Sequence, residues 1–111
     1  ERKGTEQYSG LVRSAVDLME ERYGEPVGLR EIAGEIGTNS SYLSRLFHEE
    51  TGTTVTEYLN RVRVERAKGL LGEDVPLKEI VHRRGFRSYG YFLKIFKENT
   101  EKTPKEFLKS K

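Results

Sequence analysis

Apolar residues recur every three to four positions along most of this chain, which is the spacing of amphipathic helices. The pattern stops and restarts several times, mainly at glycine or proline, and no strand is needed to account for it. Thr54 with Glu57, and Thr103 with Glu106, are predicted to cap two of the helices. The sequence therefore predicts seven helices, at about 8–23, 29–36, 40–51, 54–71, 77–84, 88–99 and 103–110.

A long stretch of the chain repeats after about 48 residues, with one extra residue after the glycine of the second copy. The first copy is "LREIAGEIGTNSSYLSRLFHEETGTTVTEYL" (29–59), and the second is "LKEIVHRRGFRSYGYFLKIFKENTEKTPKEFL" (77–108). Gly37 aligns with Gly85, and Phe47 aligns with Phe96. Each copy predicts a short helix, a glycine corner and a second amphipathic helix, which is the layout of a helix-turn-helix unit.

The corner of the first copy suits a helix that enters a groove of DNA. Gly37 permits a steep turn, and Asn39 or Ser40 can cap the helix that follows. The sides predicted to face outward are slim, polar or basic: Ser40, Ser41, Ser44 and Arg45 in the first copy, and Arg87, Ser88, Tyr89, Gly90 and Lys94 in the second. The sides predicted to face inward carry Tyr42, Leu43, Leu46 and Phe47, and Tyr91, Phe92, Ile95 and Phe96.

The charge is unevenly distributed along the chain. Residues 1–25 and 26–76 each have a net charge of −2, whereas residues 77–111 carry 10 Lys/Arg against 4 Asp/Glu, a net charge of +6. A cationic final third suggests a polyanionic partner, although it is also typical of a solvated surface. No apolar run approaches the roughly 20 residues of a membrane span, and there is no cysteine, so we expect a chain of the reducing cytoplasm.

Four stretches, "IAGEIGTNSSYLSRLFHEETG", "YLNRVRVERAKGLL", "EIVHRRGF" and "TPKEF", together resemble the DNA-binding domain of the AraC/XylS family of bacterial transcription regulators. The resemblance implies an all-α, homeodomain-like fold of seven helices, in which a long central helix joins two helix-turn-helix subdomains. It implies recognition helices at about 40–51 and 88–99 that enter adjacent major-groove segments of a promoter site. The corresponding division is a linker remnant at 1–7, a first unit at about 8–53, a linking helix at about 54–71 and a second unit at about 76–110.

The family's contacts carry over only where the pattern aligns. The positions that the resemblance places against bases are Ser41, Ser44, Arg45, Tyr89, Gly90 and Lys94. The positions that it places at phosphates or helix caps are Leu29, Asn39, Ser40, Arg61, Arg87, Ser88, Lys97 and Thr103. Arg45 is the strongest candidate, because a guanidinium can bind guanine O6 and N7 together. A phosphate contact and an ion pair with Glu49 stay open as alternatives for it.

The sequence departs from the family pattern mainly in its second copy. Val81 stands where a small alanine is usual, Arg84 where an apolar residue often precedes Gly-Phe, and Glu101 where a glycine usually follows the recognition helix. Tyr89 and Gly90 offer few hydrogen bonds to bases. We therefore expect the second unit to contribute shape fit and phosphate contacts more than sequence readout.

The resemblance implies double-stranded DNA as the partner, with RNA polymerase as a further partner and an N-terminal sensor or receiver domain in the full-length protein. It implies no cofactor and a monomeric fragment. His48 and His82 have no partner at ligand or triad spacing, so we expect neither a metal site nor an enzyme. Two other classes stay open: a protein-interaction module with weak salt dependence, and an RNA-binding domain, for which only Tyr89 offers a candidate stacking ring.

Overall fold

The computed structural model describes residues 8–73 and 75–109, so the predicted linker remnant at 1–7 lies outside the described residues. Within the described part the chain forms seven helices and no strand, which confirms the predicted fold class. None of these helices is long and apolar enough to cross a membrane. The helices are α1 (Gly10–Arg22), α2 (Leu29–Glu35), α3 (Ser40–Thr51), α4 (Val55–Leu71), α5 (Leu77–Arg83), α6 (Tyr89–Thr100) and α7 (Pro104–Lys109).

Local capping signals determine where two of the helices begin. Before α4, the Thr54 N–H donates to Glu57 Oε1 at 2.9 Å, and the Glu57 N–H donates to Thr54 Oγ1 at 3.0 Å. Thr103 and Glu106 make the same reciprocal pair before α7, at 2.9 and 3.2 Å. These bonds satisfy N–H groups that the first turn of a helix otherwise leaves without a partner.

Contacts between residues divide the chain into two compact units. The first unit holds the described residues up to Arg22 together with Val27–Leu59, and the second holds Tyr23–Pro26 together with the described residues from Asn60 onward. This division differs from the predicted boundaries in two places. The first five residues of α4 belong to the first unit, and Tyr23–Pro26, in the connection between α1 and α2, belongs to the second unit.

The first unit has a core formed mainly by α1, α2 and α3. Phe47 of α3 meets Tyr58 of α4 edge to face, with ring centres 5.5 Å apart, and the Ser9 N–H donates to Glu50 Oε1 at 2.8 Å. The buried apolar side chains of this unit are Val12, Ala15, Val16, Met19, Ile32, Ala33, Leu43, Phe47, Val55 and Leu59.

The second unit has a larger aromatic content in its core. Phe96 of α6 meets Phe107 of α7 edge to face at 5.6 Å, and Phe86 and Phe92 also pack edge to face. Val81, which replaces the usual alanine, is buried within this core. The cluster consists of Val64, Ala67, Leu70, Leu71, Ile80, Val81, Phe86, Phe92, Ile95 and Phe96.

Arginines hold the segment Tyr23–Pro26 within the second unit. Arg63 of α4 is only 8% exposed, and it donates from Nε to the Tyr23 carbonyl at 2.9 Å and from Nη2 to the Glu25 carbonyl at 3.0 Å. Burial lowers the pKa of Arg63. Because the ordinary pKa of an arginine lies far above neutral pH, the guanidinium stays charged. Arg84, the second departure from the family pattern, donates from Nη1 to the Tyr23 hydroxyl at 2.6 Å, while its buried Nε has no hydrogen-bond partner.

Candidate nucleic-acid interface

The two predicted recognition helices, α3 and α6, begin with the same kind of cap. Each has 12 residues. The Asn39 side-chain oxygen accepts from the Tyr42 N–H at 2.8 Å, and Ser88 Oγ accepts from the Tyr91 N–H at 3.0 Å. Of the two residues predicted as the first cap, Asn39 is therefore the one that fills the position. The observed bounds agree with the predicted 40–51 and 88–99 to within one residue.

The ends of α3 and α6 also match, bond for bond. Thr51 Oγ1 donates to the Phe47 carbonyl at 2.8 Å, and Thr100 Oγ1 donates to the Phe96 carbonyl at 2.9 Å. Each hydroxyl then accepts from the N–H two residues later, at 3.2 and 3.1 Å. Gly52 and Glu101 follow in the left-handed conformation, with φ of 80° and 65°. The sequence repeat is therefore a repeat of structure down to single hydrogen bonds.

The outer side of α3 presents Ser41 and Arg45, which are both exposed, and Ser40 and Ser44, which are half-buried. The Arg45 side chain is 62% exposed, and its Nη1 lies 4.0 Å from Glu49 Oε2. The ion pair considered in the sequence analysis thus exists only as a long contact. Arg45 therefore remains placed for contact with a partner outside the chain.

The prediction that Tyr42 faces inward is wrong. The residue is 42% exposed, and the Arg45 guanidinium carbon lies 5.2 Å from the centre of its ring. Periodicity assigned Tyr42 to the apolar stripe because it lies four positions before Leu46, which is helical spacing. A tyrosine at the edge of such a stripe can keep its hydroxyl in water while its ring face packs against a cation. Of the other residues predicted inward on α3, Leu43 and Phe47 are buried and Leu46 is half-buried.

The outer side of α6 presents Tyr89, Gly90 and Lys94, all of them exposed. A Cβ added at Gly90 would meet nothing within 4 Å in the chain itself, so the backbone is open to approach there. Tyr91, at the position equivalent to Tyr42, is half-buried, and its hydroxyl accepts from Asn60 Nδ2 at 3.0 Å. The inward side is otherwise as predicted, with Phe92, Ile95 and Phe96 buried.

The residues predicted to contact phosphates lie in different environments. Arg61, Arg87 and Lys97 are exposed, and the Arg87 guanidinium carbon lies 4.3 Å from the centre of the Tyr91 ring. The caps Asn39 and Ser88 use an oxygen as acceptor, which leaves the Asn39 amide and the Ser88 hydroxyl hydrogen as donors.

The helix starts at Leu29 and Thr103 are less suited to a phosphate than the sequence suggested. The Thr103 N–H already donates to the Glu106 carboxylate, and the Gly28 N–H, just before Leu29, donates to Glu31 Oε1 at 3.0 Å. The hydrogen bond from the Thr103 backbone lowers the pKa of Glu106, so this carboxylate is charged at neutral pH. A phosphate at either start would meet a carboxylate of the same sign.

Sequence reasoning missed the polar side chains of α4 that lie in the second unit's interior. Asn60 and Arg63 are both buried, and their partners are 31 and up to 40 residues away in sequence. Asn and Arg at core-facing positions of a helix are the only local signal for them. Among the residues that the structure describes, no three histidine or acidic side chains come together in a way that would hold a metal ion.

A family model described as a helix-turn-helix domain, of the AraC type, matches residues 32–110 of the chain. The chain belongs to the AraC-type helix-turn-helix family. The members of this family are DNA-binding transcription regulators and not enzymes. The AraC-type resemblance inferred from the sequence is therefore confirmed.

Three similar proteins illustrate the AraC-type match. An uncharacterized HTH-type transcriptional regulator of Escherichia coli K12, YijO, is 38% identical over 98 residues, which are 87% of this chain and 35% of that protein. The C-terminal domain of AraT, a response regulator from Geobacillus stearothermophilus, is 26% identical and superposes with a TM-score of 0.90 over 95% of this chain and 88% of that one. The chain thus spans about a third of the length of YijO.

The third protein is the DNA-binding domain of AdpA, a transcription factor whose structure contains its target DNA. It superposes with a TM-score of 0.83 over 92% of this chain and 93% of that one, at 23% identity. At this identity the likeness establishes the shared AraC-type fold.

Proposed function

We propose that the chain binds double-stranded promoter DNA by inserting α3 and α6 into two adjacent major-groove segments. The observation that carries this proposal is the duplication of one capped helix whose outer side is exposed, at Ser41 and Arg45 in α3 and at Gly90 and Lys94 in α6. The major groove admits an α-helix, and the N-terminal residues of a recognition helix are the ones that contact base edges.

In α3, Arg45 reads a guanine, with Ser41 and Ser44 beside it. The Arg45 side chain is exposed, and its long contact with Glu49 is weak enough to yield to a base. A bidentate contact between a guanidinium and guanine discriminates against other bases by about 1–3 kcal/mol. The serine hydroxyls donate and accept, so they tolerate several bases and add little discrimination of their own.

In α6, the contact with DNA is dominated by shape and by phosphates. Gly90 lets the backbone of α6 approach the DNA closely, and Tyr89 presents an exposed ring. The ammonium group of Lys94 is a point charge and lacks the paired N–H donors of a guanidinium. Arg87 and Lys97 flank this surface, and the Ser88 hydroxyl can donate to an oxygen. In the first unit and α4, the Asn39 amide and Arg61 take the corresponding phosphate roles.

The structural neighbours support a role within a longer regulator. The AdpA domain is seen with its target DNA, and the AraT domain is the C-terminal part of a response regulator. We therefore assign this chain to the DNA-binding part of a bacterial cytoplasmic regulator. A separate sensor or receiver domain and RNA polymerase are its proposed further partners, and the isolated chain is proposed to be a monomer.

The direct test is selection of binding sites from random duplex DNA with the purified chain. We expect a motif with two blocks about one helical turn, about 10 base pairs, apart. Arg45→Ala is expected to relax one block, and Lys94→Ala to weaken binding with little change of sequence. Arg13→Ala, which removes an exposed arginine of α1 in the same unit as Arg45, is the matched control and should change neither block.

A second measurement tests the two-helix arrangement. Insertion of 5 base pairs between the two blocks turns them to opposite sides of the duplex, so we expect it to abolish the contribution of one block. Absence of a motif combined with weak salt dependence would instead favour a protein-interaction module. Stronger binding to single-stranded RNA than to duplex DNA would favour the RNA-binding alternative.

A further inference from the structure

Arg45 lies against a tyrosine ring on the outer side of α3. Its guanidinium carbon is 5.2 Å from the centre of the Tyr42 ring, three residues earlier on the same helix. Side chains three residues apart are neighbours on a helix surface, so the local backbone is enough to bring these two together. Both side chains are substantially exposed, and the contact therefore belongs to the surface rather than to the core.

The contact with Tyr42 leaves Arg45 able to bind a base. The Arg45 side chain stays 62% exposed beside the ring, and a guanidinium carries more N–H donors than a bidentate contact with guanine uses. The two interactions are therefore compatible. A long arginine side chain otherwise loses much rotational freedom when it binds, and a contact that already restricts it in the free protein lowers this entropic cost.

The other neighbour of the guanidinium, Glu49, holds Arg45 only loosely. Nη1 of Arg45 lies 4.0 Å from Glu49 Oε2, and both side chains are exposed. Exposed ion pairs contribute little, and an arginine that precedes its acidic partner along a helix has the weaker orientation. The ring of Tyr42 is therefore the better candidate for setting the direction of Arg45.

The second recognition helix uses the equivalent tyrosine differently. The Tyr91 hydroxyl accepts a hydrogen bond from Asn60, and its ring lies under Arg87, which precedes α6. The residue at the Arg45 position is Lys94. Within the described residues, a contact between the proposed base-reading cation and this tyrosine is therefore a property of α3.

We propose that Tyr42 is a positioning residue, which orients Arg45 toward its base and thereby sharpens the sequence specificity of the first unit. The proposal rests on the proposed DNA-binding function. It predicts that Tyr42 acts through Arg45 alone, with no direct contact to the base.

A double-mutant cycle with the whole chain tests this. Four variants are titrated: Tyr42→Leu, Tyr42→Phe, Arg45→Ala, and the double variant Tyr42→Leu with Arg45→Ala. Each is titrated against the selected duplex and against a second duplex in which the base pair assigned to Arg45 is replaced. We expect Tyr42→Leu to reduce discrimination between the two duplexes about two- to fivefold, the scale of an exposed cation–π contact. Tyr42→Phe keeps the ring and should keep discrimination, and Tyr42→Leu should have no effect once Arg45 is alanine.

A readout in the free protein separates positioning from folding. In nuclear magnetic resonance spectra, Tyr42→Leu should move the Arg45 Nε–H signal and increase the mobility of this side chain. The thermal midpoint should change little, because Tyr42 is 42% exposed and leucine keeps an apolar side chain there. An unmoved Arg45 signal would overturn the proposal.

The binding outcomes are equally decisive. If Tyr42→Leu weakens both duplexes equally, or acts in the Arg45→Ala background, Tyr42 contacts DNA itself or supports the fold, and the proposal is wrong. If Arg45→Ala reduces discrimination and Tyr42→Leu does not, only the positioning role fails. If Arg45→Ala leaves discrimination unchanged, the proposed base contact fails first, and the role of Tyr42 fails with it.

Discussion

Among the described residues, the first unit carries 4 Lys/Arg against 8 Asp/Glu, a net charge of −4, whereas the second carries 13 against 7, a net charge of +6. The N-terminal caps of α3 and α6 nevertheless make the same kind of hydrogen bond in both units. So do the threonine hydroxyls at the ends of these helices, which donate to the carbonyl four residues earlier. The two units therefore share the backbone hydrogen bonding of their recognition helices but differ in net charge. Because phosphate contacts add affinity and base contacts add specificity, we propose that the second unit mainly attracts phosphates and that the first mainly reads bases.

The copies also differ around their glycine corners. Gly37 and Gly85 have nearly the same backbone conformation, with φ of 84° and 83°. A Cβ at Gly37 would meet nothing within 4 Å, whereas a Cβ at Gly85 would collide with the Tyr23 carbonyl oxygen and come within 2.9 Å of Arg63 Nε. The corner at Gly37 is therefore open, whereas the segment Tyr23–Pro26 packs closely against the corner at Gly85.

The largest expected effect on stability comes from replacing the glycine at each of these two corners by alanine. Gly37→Ala should lower the free energy of unfolding by about 1–2 kcal/mol, the cost of a side chain in the left-handed region. Gly85→Ala should lower it by about 3 kcal/mol or more, because the collision with backbone adds to that cost. Urea unfolding followed by circular dichroism measures both. Equal losses for the two variants would mean that the packing of Tyr23 against Gly85 adds nothing to stability.

The next effect concerns the two cations at the equivalent positions of α3 and α6. Arg45→Lys keeps the positive charge but loses the paired N–H donors of the guanidinium. Discrimination between the matched and the substituted base pair at the first block should therefore fall by about 1–3 kcal/mol, while nonspecific affinity for DNA stays the same. Lys94→Arg is the reciprocal change. It should not raise discrimination equally, because Arg87 already lies over the Tyr91 ring.

Titration of wild type and both variants against matched and substituted duplexes measures these differences. Equal and opposite changes in the two variants would show that the copies read bases alike, and would remove the asymmetry that we infer.

A smaller effect is expected at the residues that end the recognition helices. Glu101 adopts the left-handed conformation with φ of 65°, where its counterpart Gly52 has φ of 80°. Glu101→Gly should therefore raise the free energy of unfolding by about 1 kcal/mol, and Gly52→Ala should lower it by a similar amount. Glu101→Ala, which removes the charge and keeps the Cβ, is the control. If alanine stabilises as much as glycine, the charge of Glu101 is responsible and not its backbone.

The parts of the structure that the sequence predicted well are those set by neighbouring residues. Caps act over three positions, so the starts of α3, α4, α6 and α7 follow from the sequence. The parts that it did not predict depend on distant residues or on small angles. Tyr23 is bound by Arg63 and Arg84, which are 40 and 61 positions away. Tyr42 was misplaced because periodicity cannot separate the edge of an apolar stripe from its centre.

The smallest expected effect comes from Glu106, in the capping box of α7. The hydrogen bond from the Thr103 backbone lowers its pKa below the ordinary value of 4.5, and the nearby Lys97 and Lys102 act in the same direction. The corresponding residues of the first unit are His48 and Thr53, so this cationic surrounding belongs to the second copy alone.

Because the folded pKa is the lower one, the charge of Glu106 stabilises the fold fully above pH 4.5, and this contribution is lost as the pH falls through the folded pKa. Glu106→Gln keeps a side-chain oxygen for the Thr103 N–H but cannot titrate. The difference in thermal midpoint between wild type and Glu106→Gln should therefore be largest near pH 7 and shrink toward pH 3. Glu98→Gln, which removes an exposed carboxylate of α6, is the control for lost charge. A Glu106→Gln profile parallel to that of wild type would show that the capping carboxylate acts as an acceptor only, and that the charge surrounding it does not matter to the fold.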